Sequence, residues 1–132
     1  MPSPSPVAAG AAARTDQEQL QGAWTCVAGP RPAKLLVAGN RFCFEFLDGD
    51  IYMGTFELAP EAEPKRMDMH IEEGPERHRG HRAWCIYHVE GGVLRWCPAR
   101  PGTELRLTCF PSVDDDRYLS LVFKQARPRR TV

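Results

Sequence analysis

Arg82-Ala83-Trp84-Cys85-Ile86-Tyr87-His88-Val89-Glu90-Gly91-Gly92-Val93-Leu94-Arg95-Trp96-Cys97-Pro98 is the stretch whose reading decides the fold. Two consecutive glycines both accept positive φ without a Cβ clash, as a two-residue type I′ turn requires, and aromatic or β-branched residues flank them. With Gly91-Gly92 as the loop, pairing runs outward from it. Glu90 then faces Val93, Val89 faces Leu94, His88 faces Arg95, Tyr87 faces Trp96 and Ile86 faces Cys97. One face carries Cys85, Tyr87, Val89, Leu94 and Trp96 and is expected inside. The other carries Trp84, Ile86, His88, Glu90, Val93, Arg95 and Cys97, a mixture expected toward solvent.

Outward from this hairpin the chain repeats the same grammar. Residues 22–27, 34–37, 41–46, 51–58 and 66–71 precede it as short alternating runs separated by turn residues, among them Gly29-Pro30-Arg31-Pro32, Gly39-Asn40 and Asp48-Gly49-Asp50. Residues 105–110 and 118–124 follow it as two more strands. Residues 15–20 open with a Thr and an acidic turn, enough for one or two turns of helix. Eight or nine strands with no room for a crossover helix imply an all-β, antiparallel up-and-down barrel. Closure removes the exposed edges that a sheet of this size would otherwise leave.

A chain of 132 residues is one domain with a real core, here residues 15–125. Residues 1–14, rich in Pro, Ser and Ala, read as a disordered leader and residues 126–132 as a basic tail. Lys plus Arg and Asp plus Glu number 17 each, so no overall field draws the chain to nucleic acid or anionic lipid. No apolar run approaches the roughly 18 residues of a membrane span, and neither a nucleic-acid nor a membrane partner is expected. Five cysteines, an odd number without a CxxC pair or an export signal, suit reduced thiols in the cytoplasm.

Asp16-Gln17-Glu18-Gln19-Leu20-Gln21-Gly22-Ala23-Trp24 resembles the opening of the lipocalin-like domains expanded in planctomycete bacteria. Gly54-Thr55-Phe56 with Lys65 beyond a Pro-containing loop, Ile86-Tyr87, Leu94-Arg95-Trp96-Cys97 and Ala99-Arg100-Pro101-Gly102 follow in that family's order, over residues 15–124. The resemblance implies a calycin-type barrel with Trp24 inside, near the end closed by the short helix. Trp84-Cys85 and His88, together with Cys26, Cys43 and Cys109, depart from the family pattern. The resemblance implies no particular activity.

The inward set by parity is Trp24, Cys26, Phe42, Phe44, Phe46, Tyr52, Phe56, Met67, Met69, Tyr87 and Trp96. Such residues either fill the barrel or line a pocket for a small, largely apolar molecule, the expected partner, since barrel mouths are common ligand sites. A cofactor-independent cyclase or isomerase enclosing an apolar, polyketide-like substrate is the alternative. Tyr52 and Tyr87 would donate hydrogen bonds, Arg106 would stabilise developing negative charge, and His88 would move protons if its face turned inward. A third reading is a filled barrel that meets a protein through Trp84 and Ile86 on its outer face. His70, His78, His81 and His88 with Cys85 offer metal-ligand chemistry, but His70 points away from Met67 and Met69, and His88 away from Cys85. No metal and no cofactor are expected.

Overall fold

The computed structural model describes residues 15–99, 102, 106–111 and 119–126. A short helix, α1 (residues 15–20), leads into β1 (Gly22–Ala28), β2 (Ala33–Ala38), β3 (Arg41–Phe46), β4 (Ile51–Ala59), β5 (Arg66–Glu73), β6 (Arg82–Glu90), β7 (Val93–Pro98) and β8 (Leu121–Gln125). Each strand pairs antiparallel with the next, and β8 returns to β1, closing an all-β barrel. The β6–β7 register is the one set by the glycine pair, from Glu90↔Val93 to Ile86↔Cys97, with Gly91 and Gly92 at φ of 58° and 76°.

Alternation decides which side of each strand is buried. Ala33, Leu35 and Val37 of β2 are buried while Lys34, Leu36 and Ala38 are exposed, and Phe42, Phe44 and Phe46 of β3 all point inward. At Gly54 the β4–β5 ladder slips by a residue, and a Cβ there would overlap the His70 carbonyl oxygen. Only glycine lets the two backbones approach this closely where the sheet curves.

Two expectations are corrected. Residues 106–110 are not a strand, and Leu105 lies outside the described residues, as do residues 1–14, 118 and 127–132. β7 instead pairs directly with β8, Leu94 opposite Phe123 and Trp96 opposite Leu121. Residues 106–111 run along the outside of the barrel. The Arg106 guanidinium pairs with Asp68 at 2.7 Å and lies 5.1 Å from the Trp84 ring centre, while Arg95 donates to the Pro111 carbonyl at 3.0 Å and packs on Phe110. The hairpin's outer face is therefore partly covered: Ile86 and Cys97 are buried and Trp84 half-buried. An alternating Leu-Arg-Leu-Thr-Cys-Phe run fits a segment lying with one side on an apolar surface as well as it fits a strand.

Candidate functional site

The two ends of the barrel differ in chemistry. At one end α1 closes the opening. Leu20 is wholly buried, and its carbonyl accepts the Trp24 indole N–H at 2.8 Å. Asp16, also buried, receives two bonds on the same oxygen, Oδ2: the Tyr87 hydroxyl at 2.7 Å and the Lys65 ammonium at 2.9 Å. Burial and the adjacent Asp16 carboxylate push the Tyr87 phenol far above its ordinary range, so it stays a neutral donor. Gln125 of β8 completes the closure by donating to the Gln21 carbonyl at 2.7 Å.

Midway along the axis the barrel is filled. Phe44 of β3 meets Trp96 of β7 with ring centres 4.8 Å apart, although the strand order places four steps between them in either direction. Phe123 packs edge-on against Phe44 at 5.9 Å and faces Trp96 at 6.5 Å, so rings from three strands form a layer across the interior.

Beyond that layer, toward the end opposite α1, small Cys26, Ala33, Ala83 and Cys85 share the lining with bulky Phe46, Ile71 and Leu121. The buried Trp96 indole N–H lies beside the Cys85 sulfur, a weak acceptor, and has no nitrogen or oxygen partner among the described residues. Tyr52 shares a 2.8 Å hydrogen bond with His78 Nδ1, Cys26 donates to the Ala28 carbonyl at 3.3 Å, and Cys85 to the Ala83 carbonyl at 3.5 Å. Burial holds the Cys85 thiol far above its ordinary pKa and Cys97 at about 11, so neither is a thiolate near neutral pH. The Ser120 hydroxyl, just before β8 at the same end, is also buried without a partner.

Polar side chains gather at that rim, beside exposed Leu47 and Ile51. Arg31 stacks 3.6 Å over the Phe46 ring and pairs with Asp48 at 2.6 Å, and the Tyr52 and His78 rings stack with centres 5.8 Å apart. Among the described residues the buried carboxylate is Asp16, at the helix end and already bonded to Tyr87 and Lys65.

The expected inward residues are brought together. Trp24, Phe42, Phe44, Phe46, Phe56, Met67, Met69, Tyr87 and Trp96 are core residues, and Cys26 and Tyr52 border the core, partly buried. The four residues considered for catalysis do not meet. Tyr52 and Tyr87 commit their hydroxyls at opposite ends, His88 is exposed beside Glu90, and Arg106 lies outside the barrel on Asp68. Asp16, Lys65 and His78 went unrecognised as partners. Asp16 reads as an ordinary acidic first turn, and 71 residues separate it from Tyr87. Among the described residues, no three His, Cys, Asp or Glu side chains converge as a metal ion would require, and no helix is long and apolar enough to cross a membrane. All five cysteines are free.

The fold and its ends thus define a closed eight-stranded antiparallel barrel, plugged by a helix at one end and with polar side chains gathered at the rim of the other. No protein-family model, curated protein or solved structure matches the chain.

Proposed function

We propose that this is a lipocalin-like binding barrel that takes a small, uncharged, largely apolar molecule between the Phe44–Trp96–Phe123 layer and the end opposite α1. The observation that carries the reading is the Trp96 N–H: a buried donor left with only a weak sulfur acceptor beside it is under-satisfied, a buried donor wholly without a partner costing about 1–3 kcal/mol, and a ligand bearing an acceptor oxygen would satisfy it. The small side chains of Cys26, Ala33, Ala83 and Cys85 favour room for such a group, and the apolar wall that surrounds the site disfavours an ionised one. The resemblance of residues 15–124 to lipocalin-like domains supports the same reading. Free cysteines support a reducing compartment, the cytoplasm. The non-convergent tyrosines, His88 and Arg106 give the enzymatic alternative no comparable support.

Native mass spectrometry of the purified protein, with organic extraction of what travels with it, tests the reading directly. A titration sharpens it. A neutral aromatic ketone should bind saturably, and Trp96→Phe, which keeps the ring layer but removes the N–H, should weaken it roughly 2- to 12-fold, one net hydrogen bond. The matching hydrocarbon should bind both proteins alike. An apo mass together with no saturable binding of either probe would end the proposal.

A further inference from the structure

The outer face of β2, β3 and β4 carries apolar side chains where a closed barrel would ordinarily present polar ones. Ladder register places Ala23, Leu36, Cys43 and Met53 directly beside one another across β1 to β4. Leu36 is 56% exposed, Met53 39%, and Ile51, one step along β4, 46%. Scattered exposed hydrophobes need no explanation, but a contiguous row in register does.

From this row we infer that the β2–β4 face is the interface of a homodimer, with its two-fold axis lying along the row. Charge selects the axis. On β3, Glu45 stands one step to one side of Cys43 and Arg41 one step to the other. Rotation about an axis along the row sets each Cys43, Leu36 and Met53 against its own copy and each Glu45 against the partner's Arg41. Rotation about an axis along the strands would oppose Glu45 to Glu45 and Arg41 to Arg41, which is repulsive. Arg41 also bridges Glu72 at 3.2 Å on its own chain, an exposed pair that leaves the guanidinium free to share. A single row on a convex barrel buries less than a standard interface of about 1,600 Å², so the dimer is concentration-dependent.

Analytical ultracentrifugation of the full chain across a concentration series should show reversible monomer–dimer exchange. Leu36→Glu and, separately, Met53→Glu should leave only monomer with the wild-type thermal midpoint, since both side chains already face solvent. Glu45→Arg or Arg41→Glu alone should weaken the dimer roughly tenfold or more, and the double variant should recover it. A short bismaleimide should couple two chains, and that product should vanish in Cys43→Ser but not in Cys109→Ser. A wild-type chain monomeric throughout, a dimer indifferent to both Leu36→Glu and Met53→Glu, or a double variant no better than the singles would overturn the inference.

Discussion

The two ends of this barrel spend their polar groups in opposite ways. At the helix end Tyr87 and Lys65 donate to Asp16 and Trp24 to the Leu20 carbonyl, and the bonds tie α1, β1, β6 and the loop before β5 into one unit. At the other end, among the described residues, the bond of comparable length from an inward ring, Tyr52 to His78, lies at the rim, while the Trp96 donor behind it is left unused. Buried groups that are fully paired rigidify a structure, whereas buried donors left unpaired, here Trp96 and Ser120, mark a place where a partner is missing. The helix end is thus the anchor and the opposite end the candidate receptor. Substitutions should separate along the same line, with stability lost at one end and binding at the other.

The largest effect belongs to the anchor. Trp24→Ala empties a buried indole site and frees the Leu20 carbonyl, and should cost about 3–5 kcal/mol in urea unfolding. An unchanged denaturation midpoint would remove Trp24 from the core and the anchor with it. Tyr87→Phe is smaller. It leaves Asp16, nearly inaccessible to water, with Lys65 alone, and should cost about 1–3 kcal/mol.

Tyr87 also supplies a pH signature. Its phenol titrates higher in the folded chain than its ordinary 10.0, so above that pH the unfolded chain sheds a proton that the folded one keeps. Its contribution is complete below pH 10 and falls as pH rises, by up to about 1.4 kcal/mol per pH unit for one group. Cys85 and Cys97, raised from 9.0, add losses of the same sign that begin a unit lower. Tyr87→Phe should therefore flatten the alkaline limb above pH 10 without removing it. A limb of wild-type steepness in the variant would mean that Tyr87 ionises as readily folded as unfolded.

Most of the barrel was legible because its signals are local. Gly91-Gly92 fixes a turn, the turn fixes a register, and period-two alternation in residues 41–46 and 66–71 fixes which side is buried. What escaped was nonlocal or degenerate. Alternation in residues 105–110 reads as a strand, yet residues 106–110 are not one, and Arg106 reaches the outside of β6 at Trp84 and the Cys85 carbonyl. Ile86 and Cys97 were misplaced for the same reason, since nothing in a strand announces that another segment will cover its outer face. The Asp16–Tyr87 bond joins the first turn of a helix to a strand 71 residues later, and no spacing rule spans that distance.

The smallest expected effect tests the contrast most directly. Tyr52→Phe keeps the ring that packs edge-on against Phe46 and stacks on His78, and removes only the hydroxyl. Because Tyr52 is half-buried at the rim, water can take over the Nδ1 site of His78, so stability should fall by about 0.5 kcal/mol, the low end for a lost hydrogen bond. Binding should respond more than stability does. The Tyr52–His78 contact ties the β5–β6 loop to β4 at that end of the barrel, so loosening it should speed both entry and release of a bound ketone, measured by stopped-flow fluorescence. If Tyr52→Phe instead costs as much stability as Tyr87→Phe and leaves both rates unchanged, the two ends are the same kind of structure. The receptor would then have to lie somewhere other than behind Tyr52.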